Sequence, residues 1–258
     1  MKGIVWSPTS MQSFGKDVAR VLDWPLIIDG PVGDCDVAYI IGMYDPPYYH
    51  KTLSDTLRAK RRVIQWCGSD SKWLTEPDMV PEAIHLASND LYRDLVRAEG
   101  FECETLMMPL KNRFPVMPLP DEPCITTYFG GNPESYGAAY IRMLMQVFPD
   151  VKFEAFMLGQ YDQDELLEVM ANTSVWVQLG NDGGGHSLRE AMEAGRRVIT
   201  TLPLEHAVRV HSDDIPRIIR EVRKALKETE PDLEAAAYWQ DFNDDERFRG
   251  QFHELARI

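Results

Sequence analysis

A glycine-rich run at residues 180–185 is the stretch of this sequence best suited to contact a ligand. Four of its six residues are glycines, and a backbone without Cβ atoms can approach a ligand closely. Ser187 and Glu190 follow at the spacing of a capping box, which predicts that a helix begins there. The start of a helix offers main-chain N–H groups and the positive end of its dipole. The run therefore predicts a site for an anion or for sugar hydroxyls.

Two carboxylates, Asp182 and Glu190, lie eight residues apart across this loop and helix start. Carboxylates accept hydrogen bonds from hydroxyls, so such a pair suits a nucleotide sugar with its ribose and sugar hydroxyls. Glu190 has an alternative role, since its side chain could simply close the capping box with Ser187. His186 could titrate near neutral pH, but a loop histidine is more often a polar contact than a catalyst.

A second glycine turn, Gly130-Gly131-Asn132-Pro133, joins another predicted strand to the helix that follows it. Asn132 suits an N-cap and Pro133 suits the first helical position, which would leave main-chain N–H groups aimed outward. A diphosphate could lie on those groups. A tight strand-to-helix turn without a ligand explains the segment equally well, and both interpretations stay open.

Three aspartates elsewhere could also serve chemistry. Asp70 follows a predicted strand of the first half, where it could bind an acceptor hydroxyl, act as a base or cap a short helix. Asp34 and Asp36 form a D-x-D pair that could hold a metal ion. Because they precede a predicted strand at the end away from the other candidates, turn chemistry is the preferred interpretation, and we expect no metal.

The elements that position these residues alternate between strands and helices along the whole chain. Short β-rich runs, such as residues 3–6 and 37–41, are separated by segments with helical spacing of apolar residues. This alternation predicts parallel sheets covered by helices on both faces. The pattern breaks once, at the proline-rich residues 109–123, and then restarts.

We therefore predict two Rossmann-like domains that face a cleft. The first comprises residues 1–117 and the second residues 118–240. The aromatic tail, residues 241–258, is expected to dock back on the first domain rather than to hang free. In open parallel sheets, ligands bind beyond the carboxyl ends of the strands, and the cleft between the domains is the expected site.

Composition narrows the classes of partner. Acidic side chains outnumber Lys and Arg by 41 to 27, and the resulting net charge of −14 disfavours a broad surface for nucleic acid or anionic lipid. The basic run at residues 58–62 is expected to be a solvated face at a helix end. The N-terminal residues lack the apolar core of a signal peptide, and the four scattered cysteines favour reduced thiols, so we expect a cytoplasmic protein.

Two common nucleotide-binding signatures are absent. The first strand is followed by Ser7-Pro8-Thr9-Ser10, which does not match the G-x-G-x-x-G of dinucleotide-binding folds, and no G-x-x-x-x-G-K-[ST] occurs anywhere. The sequence therefore gives no support to NAD-dependent redox chemistry or to P-loop phosphoryl transfer. We expect no cofactor.

The segment GGGHSLREAMEAGRRVIT resembles the signature EGFGxxxxEAMAxGxPVI of retaining glycosyltransferases of the GT-B fold. That large family includes sucrose-synthase-like enzymes and mannosyltransferases. Asp182 falls on the first Glu of the signature and Glu190 on the second. Segments beginning at residues 83, 108, 124, 151 and 164 are similar to other parts of the family in the same order, so the resemblance covers most of the chain.

The resemblance implies a transferase that uses a nucleotide-diphosphate sugar, retains the anomeric configuration and needs no metal. It implies that Glu190 binds the ribose, and that Asp182 with the amides of Gly183, Gly184 and Gly185 holds the sugar and phosphate. His186, Ser187 and the Gly130-Gly131-Asn132 turn complete the implied donor site. The acceptor, held by the first domain, is unknown.

The sequence departs from this family where cations usually bind the donor phosphates. The family usually places an Arg and a Lys on the donor phosphates, and the aligned residues here are Gly131 and Tyr136. Lys111 or Arg113 could replace those cations. Alternatively, the chain is a GT-B-fold binding or scaffold protein without turnover. A metal-dependent enzyme that uses Asp34 and Asp36 is a third hypothesis.

Overall fold

The computed structural model describes residues 1–42, 46–67, 82–110, 113–129, 133–157, 163–180 and 185–257. The side chains of residues 46–50, 163 and 164 are not described. The chain divides into two compact units. Unit 1 contains Met1–Lys111 together with Asn243–Ile258, and unit 2 contains Asn112–Phe242.

The strands of the described residues are numbered in chain order. Those of unit 1 are β1 (Gly3–Ser7), β2 (Leu26–Ile28), β3 (Cys35–Ile41), β4 (Ala59–Trp66), β5 (Ile84–Ala87) and β6 (Cys103–Thr105). Those of unit 2 are β7 (Cys124–Phe129), β8 (Lys152–Met157), β9 (Val175–Gln178), β10 (Arg197–Thr200) and β11 (Val208–Arg209).

The α-helices of the described residues are numbered in the same way. They are α1 (Gln12–Leu22), α2 (Pro46–Asp55), α3 (Asp90–Ala98), α4 (Ala138–Val147), α5 (Gln163–Ala171), α6 (His186–Glu193), α7 (Ile215–Ala225), α8 (Leu233–Phe242) and α9 (Asp245–Leu255).

Each unit is built on a parallel sheet, as the alternation of elements predicts. The strand order is β2-β1-β3-β4-β5-β6 in unit 1 and β11-β10-β9-β7-β8 in unit 2, and every neighbouring pair is parallel. Parallel neighbours need a crossover between them, which the helices supply. The prediction of two α/β halves is confirmed.

The core of unit 1 includes the last helix of the chain. Phe248 and Phe252 of α9 are buried in the same apolar cluster as Val5 and Val37 of the central strands. The Phe252 ring meets the Tyr39 ring edge-on at a centroid distance of 5.2 Å. Residues 243–258 are thus part of the unit 1 core, far in sequence from the strands that they cover.

The core of unit 2 forms on the sheet face covered by α4 and α7. Apolar side chains from strands β7, β9 and β10 pack there against Leu144 of α4 and Val222 of α7, both of which are fully buried. The opposite face carries Trp176 and Gln178 of β9, which alternate with those core residues because side chains of a strand point to opposite faces. Helices α6 and α8 pack against each other.

The predicted position of the basic run at the end of a helix is wrong. The basic run at residues 58–62 was expected at a helix end, but α2 ends at Asp55 and β4 begins at Ala59. Lys60 and Arg61 of this strand are exposed; Lys60 Nζ lies 2.8 Å from an Asp36 carboxylate oxygen, and Arg61 donates to the Arg257 carbonyl at 3.0 Å. Part of the basic run is therefore hydrogen-bonded to other groups of unit 1.

All four cysteines are buried and free. Burial raises the pKa of each of the thiols of Cys35, Cys103 and Cys124, that of Cys103 to about 12. Among the described residues, no helix combines the length and the apolar character that crossing a membrane requires.

Candidate functional site

The strand order of unit 2 changes direction between β7 and β9. The chain runs from β7 outward to β8 and then crosses back to β9 on the other side of β7. Thr126 of β7 is paired directly with Trp176 of β9. Helices that follow such neighbouring strands lie on opposite faces of the sheet, so a crevice opens at the carboxyl ends of the strands.

Both predicted donor-binding loops follow these two strands. β7 ends at Phe129 and β9 ends at Gln178. The described residues around the loops therefore define the edges of the site. Several predicted site residues lie outside the described residues, namely Asp70, Gly130, Gly131, Asn132, Asp182, Gly183 and Gly184. Their predicted roles stay predictions.

The backbone segments that border the two loops are in direct contact. A Cβ atom on Gly180 would lie 1.9 Å from the carbonyl oxygen of Ser135 and 2.4 Å from Tyr136 Cα. Gly137 faces back in the same way, because its Cβ would lie 3.0 Å from the Gly180 nitrogen. Thr201, after β10, donates its hydroxyl to the Gly180 carbonyl at 2.7 Å. Only glycine permits this close approach of the two chain segments.

The helix after β7 begins later than predicted. Asn132 and Pro133 were expected to start it, but α4 begins at Ala138, with Gly137 as its N-cap at φ 87°. Pro133 instead opens a tight turn, and its carbonyl accepts hydrogen bonds from the Tyr136 and Ala138 amides, each at 3.1 Å. The reason is steric, since the turn carries the chain past Gly180 before the helix can form.

The predicted capping box of Ser187 and Glu190 does not form. Helix α6 begins at His186, and its N-cap is Gly185, which adopts the left-handed conformation at φ 77°. Ser187 thus lies inside the first turn, where its hydroxyl is 3.5 Å from the Gln178 side-chain oxygen. A Cβ on Gly185 would meet Leu204 at 3.1 Å, so the loop after β10 packs against the start of the helix. Gly185 has no side chain with which to cap the first amides of α6.

Glu190 lies on the same side of the sheet as Tyr128 near the end of β7. Both side chains are half-buried. Burial, and in addition the Glu190 charge, raises the pKa of the Tyr128 hydroxyl to about 12. The Tyr128 ring contacts Tyr136 edge-on at 5.6 Å and Phe156 at 5.3 Å, as measured between centroids. Glu190 is therefore not the residue of a capping box, and its charge acts on Tyr128 near the carboxyl end of β7.

A half-buried histidine and a buried arginine lie in the first turns of α6. His186 Nε2 is shielded from solvent, and burial, with the charge of Arg189, holds the pKa of the imidazole well below its usual range. Burial likewise lowers the pKa of Arg189 to about 10, although the negative charges of Glu190 and Glu193 act to raise it. The His186 ring is thus neutral at physiological pH, and Arg189, whose pKa is above 7, keeps its charge.

The Arg189 guanidinium is held by α8. It lies 6.0 Å from the centroid of the Trp239 ring, a cation–π arrangement. Trp239 Nε1 in turn donates to the Glu205 carbonyl at 3.0 Å, in the loop that contacts Gly185 through Leu204. A buried positive charge and the positive end of the α6 dipole therefore lie in the same region of unit 2, which favours an anionic ligand.

Arg113, one of the candidate replacement cations, is engaged at the other end of α6. Its Nε lies 3.1 Å from a carboxylate oxygen of the fully buried Glu193, and its Nη2 donates to the Gln240 carbonyl at 2.8 Å. Glu193 is seven residues beyond His186, a distance of about 10 Å along a helix. Arg113 therefore does not lie at the first turn of α6. Lys111 lies outside the described residues.

The Asp34 and Asp36 pair lies at the amino end of β3, at the start of the strand. The Asp36 carboxylate accepts hydrogen bonds from the Lys2 amide and from Lys60 Nζ, both at 2.8 Å, and these interactions lower the pKa of its carboxyl group. Within the described part of the chain, no group of three His, Cys, Asp or Glu side chains could hold a metal ion.

Several residues of this edge were not assigned a role from the sequence. Four of them interact with residues that are distant in the chain, and no local sequence pattern reveals such interactions. They are Gly137, Tyr128, Thr201 and Arg189.

Several solved structures have the same fold at low sequence identity. The galactosyltransferase WaaB of the lipopolysaccharide outer core matches 98% of this chain and 99% of its own, with a TM-score of 0.68 at 8% identity. TarM matches with a TM-score of 0.64 at 12% identity, over 85% of this chain and 54% of its own. A UDP-forming α,α-trehalose-phosphate synthase from Burkholderia vietnamiensis matches with a TM-score of 0.54 at 11% identity, over 86% and 74%.

This chain thus spans about half of TarM and nearly the whole of WaaB. No protein-family model matches the sequence, and no curated protein sequence is significantly similar to it. Structural similarity at such low identity establishes the fold alone. The two parallel-sheet α/β units have the GT-B fold that these glycosyltransferases share.

Proposed function

We propose that this chain is a glycosyltransferase that takes its sugar from a nucleotide-diphosphate donor. The observation that carries the proposal is the start of α6, where an uncapped helix N-terminus meets the β7–β9 crevice of unit 2. Gly180 and Gly137 bring the two bordering segments together there. The neighbours support the same class, since WaaB is named a galactosyltransferase and the trehalose-phosphate synthase is named UDP-forming.

In the proposed complex, Glu190 accepts hydrogen bonds from the ribose hydroxyls. Its half-buried position beside Tyr128 supports this role, because the carboxylate is held near the carboxyl edge of the sheet without a capping duty. Asp182 accepts hydrogen bonds from the transferred sugar, and the amides of Gly183, Gly184 and Gly185, with His186 and Ser187, contact the phosphates. The Gly130-Gly131-Asn132 turn closes the other side of the donor.

The diphosphate is the leaving group of the proposed reaction. The bond between the anomeric carbon and the phosphate oxygen breaks, and the acceptor oxygen forms the new glycosidic bond on the same face, so that the configuration is retained. Preorganised N–H groups at α6 stabilise the charge on the leaving oxygen. The buried Arg189 adds a fixed positive charge to this region. We propose that no metal and no cofactor take part.

Unit 1 is proposed to hold the acceptor. A proton must leave the acceptor hydroxyl as the new bond forms, and Asp70 is the residue that we assign to bind or deprotonate that hydroxyl.

A thermal-shift panel with UDP-, GDP-, ADP- and dTDP-sugars tests this function before any acceptor is known. We expect sugars of one nucleotide to raise Tm, with a smaller or absent shift in Glu190→Ala. Glu190 is half-buried, and its substitution leaves the N-cap of α6, which is Gly185, in place. The matched control is Glu134→Ala, whose exposed ion pair with Arg142 belongs to the same unit.

The transfer step has its own readout. The donor found in the panel is incubated with the protein, and release of the nucleoside diphosphate is followed with and without EDTA. We expect release that EDTA leaves unchanged and that Glu190→Ala abolishes. Failure of every nucleotide sugar to bind, or release that Glu190→Ala does not affect, would refute the proposed function.

A further inference from the structure

Two adjacent polar residues of unit 1 are almost completely buried at the carboxyl end of β5. Ser88 is 1% exposed and Asn89 is 0% exposed. The Ser88 amide donates to the Trp66 carbonyl at 2.9 Å, so the segment is still held against β4. Asn89 is the N-cap of α3, and its side-chain oxygen accepts the Tyr92 amide at 3.0 Å. Their positions are therefore fixed by main-chain contacts.

One polar atom of each of these side chains has no hydrogen-bond partner within the described ranges. These atoms are Ser88 Oγ and Asn89 Nδ2, both shielded from solvent. The capping bond from Tyr92 settles which end of the Asn89 amide is oxygen, so the atom left over is the amino group. Buried donors without an acceptor are costly, and a native structure that keeps two side by side calls for a bound partner.

The helix start beside these atoms favours an acceptor-rich, anionic partner. They lie at the start of α3, a helix of nine residues whose first amides and positive dipole end face the same region. The one carboxylate of the first turn, Asp90, is already satisfied by the Thr105 hydroxyl at 2.6 Å and by Arg93 Nη1 at 2.8 Å. Arg93 also binds Asp94, so its charge is shared between two acids.

We propose that Ser88, Asn89 and the first turn of α3 bind a compact oxyanion, the phosphate group of a phosphorylated acceptor. The site lies at the carboxyl edge of a parallel sheet, the edge at which ligands of such sheets bind. The oxyanion site stands on the contacts of these residues alone. Its assignment to the acceptor rests on the proposed function.

Inorganic phosphate is the probe for this site, and the side-chain amide signal of Asn89 is the readout. In a ¹H–¹⁵N spectrum of the full chain, the NH₂ signal of Asn89 is identified by its loss in Asn89→Ser. We expect this signal to shift in a saturable way as phosphate is added. Serine caps a helix as well as asparagine does, so Asn89→Ser keeps α3 and removes only the amino group.

The affinity of phosphate for this site then distinguishes side chains that bind the phosphate from side chains with only a structural role. A hydrogen bond to a charged group contributes enough for its loss to weaken binding by about tenfold or more. We expect that loss in Ser88→Ala, followed through the Asn89 signal. The matched control is Thr127→Val, which removes another buried hydroxyl without a described partner, in unit 2. It should leave the phosphate titration unchanged.

Three results would overturn the proposal: an Asn89 signal that ignores phosphate, a shift that does not saturate, or a titration unaffected by Ser88→Ala. Failure of the nucleotide-sugar panel is a separate outcome. If phosphate binds at Asn89 but no nucleotide sugar binds, the oxyanion site stands and its assignment to a transferase acceptor is refuted. If the donor binds and the Asn89 signal never moves, only this inference fails.

Discussion

The Cβ position of Gly180 lies 1.9 Å from the main-chain oxygen of Ser135. This relationship joins the segment that follows β9 to the segment that follows β7, and it brings the two predicted donor loops to one edge of the sheet. The Thr201 hydroxyl, in the segment after β10, donates a hydrogen bond to the Gly180 carbonyl. The site is therefore assembled by a backbone contact rather than by side chains.

Gly180→Ala should distort this contact, because the atoms in the way belong to the main chain and cannot swing aside. Overpacking of this kind costs about 1–3 kcal/mol. We expect a lower free energy of unfolding by denaturant and a loss of nucleotide-sugar binding. Gly33→Ala is the control, since its Cβ would have no atom within 4 Å and should be close to neutral. Equal effects of the two substitutions would argue against the contact.

Gly185→Ala tests the start of α6 against a glycine with the same backbone strain elsewhere. Gly185 and Gly100 have φ of 77° and 92°. An L-residue in the left-handed region costs about 1–2 kcal/mol, so both alanine variants should lose stability to a similar extent. Only Gly185→Ala should weaken nucleotide-sugar binding, measured by calorimetry, because only its Cβ enters the α6 site beside Leu204. Weaker donor binding in Gly100→Ala would contradict this assignment.

His186 should make the stability of the protein depend on pH in the acid range. Its pKa in the fold is held below that of the unfolded chain, about 6.5, so the unfolded state takes up the proton first. The stabilising contribution is complete above that pH and is lost as the pH falls, by up to about 1.4 kcal/mol per pH unit. Denaturant unfolding at several pH values should show a shallower slope for His186→Gln.

Glu193 should be among the most sensitive residues of unit 2. It is fully buried, is paired with Arg113 Nε at 3.1 Å, and accepts the Phe114 amide at 3.4 Å. Removing one partner of a buried pair typically costs about 3–5 kcal/mol, and the half-exposed Arg113 should reduce the loss to about 2–3 kcal/mol. Urea unfolding of Glu193→Ala measures it. Glu134→Ala removes one partner of an exposed ion pair and should change the free energy of unfolding by less than about 1 kcal/mol.

The fold was predictable from the sequence because the spacing of apolar residues that distinguishes strands from helices is a local property of the chain. The alternation of β-rich and helical runs is enough to predict two parallel sheets, and the GT-B fold confirms it. Boundaries were less predictable. Pro133 and Ser187 each carry a helix-start signal, but Gly137 and Gly185 take the N-caps because the backbone must first pass close to Gly180 and Leu204.

The site was predictable only in part. The glycine run and Glu190 marked the region, since glycines and a helix start are local features. The contacts that shape it join residues far apart in sequence, such as Arg189 with Trp239 and Glu190 with Tyr128. No motif spacing encodes such pairs. The sequence does not reveal the buried donors of Ser88 and Asn89, because burial is a property of the folded chain.

The most direct test of the central claim is calorimetric titration of the nucleotide sugar selected by the thermal-shift panel. The wild type, Glu190→Gln and Glu134→Gln are compared, so that each variant loses one carboxylate charge of unit 2. Loss of a hydrogen bond between a carboxylate and the ribose should weaken binding about tenfold or more in Glu190→Gln alone. Equal affinity of all three proteins would contradict a donor site at the start of α6.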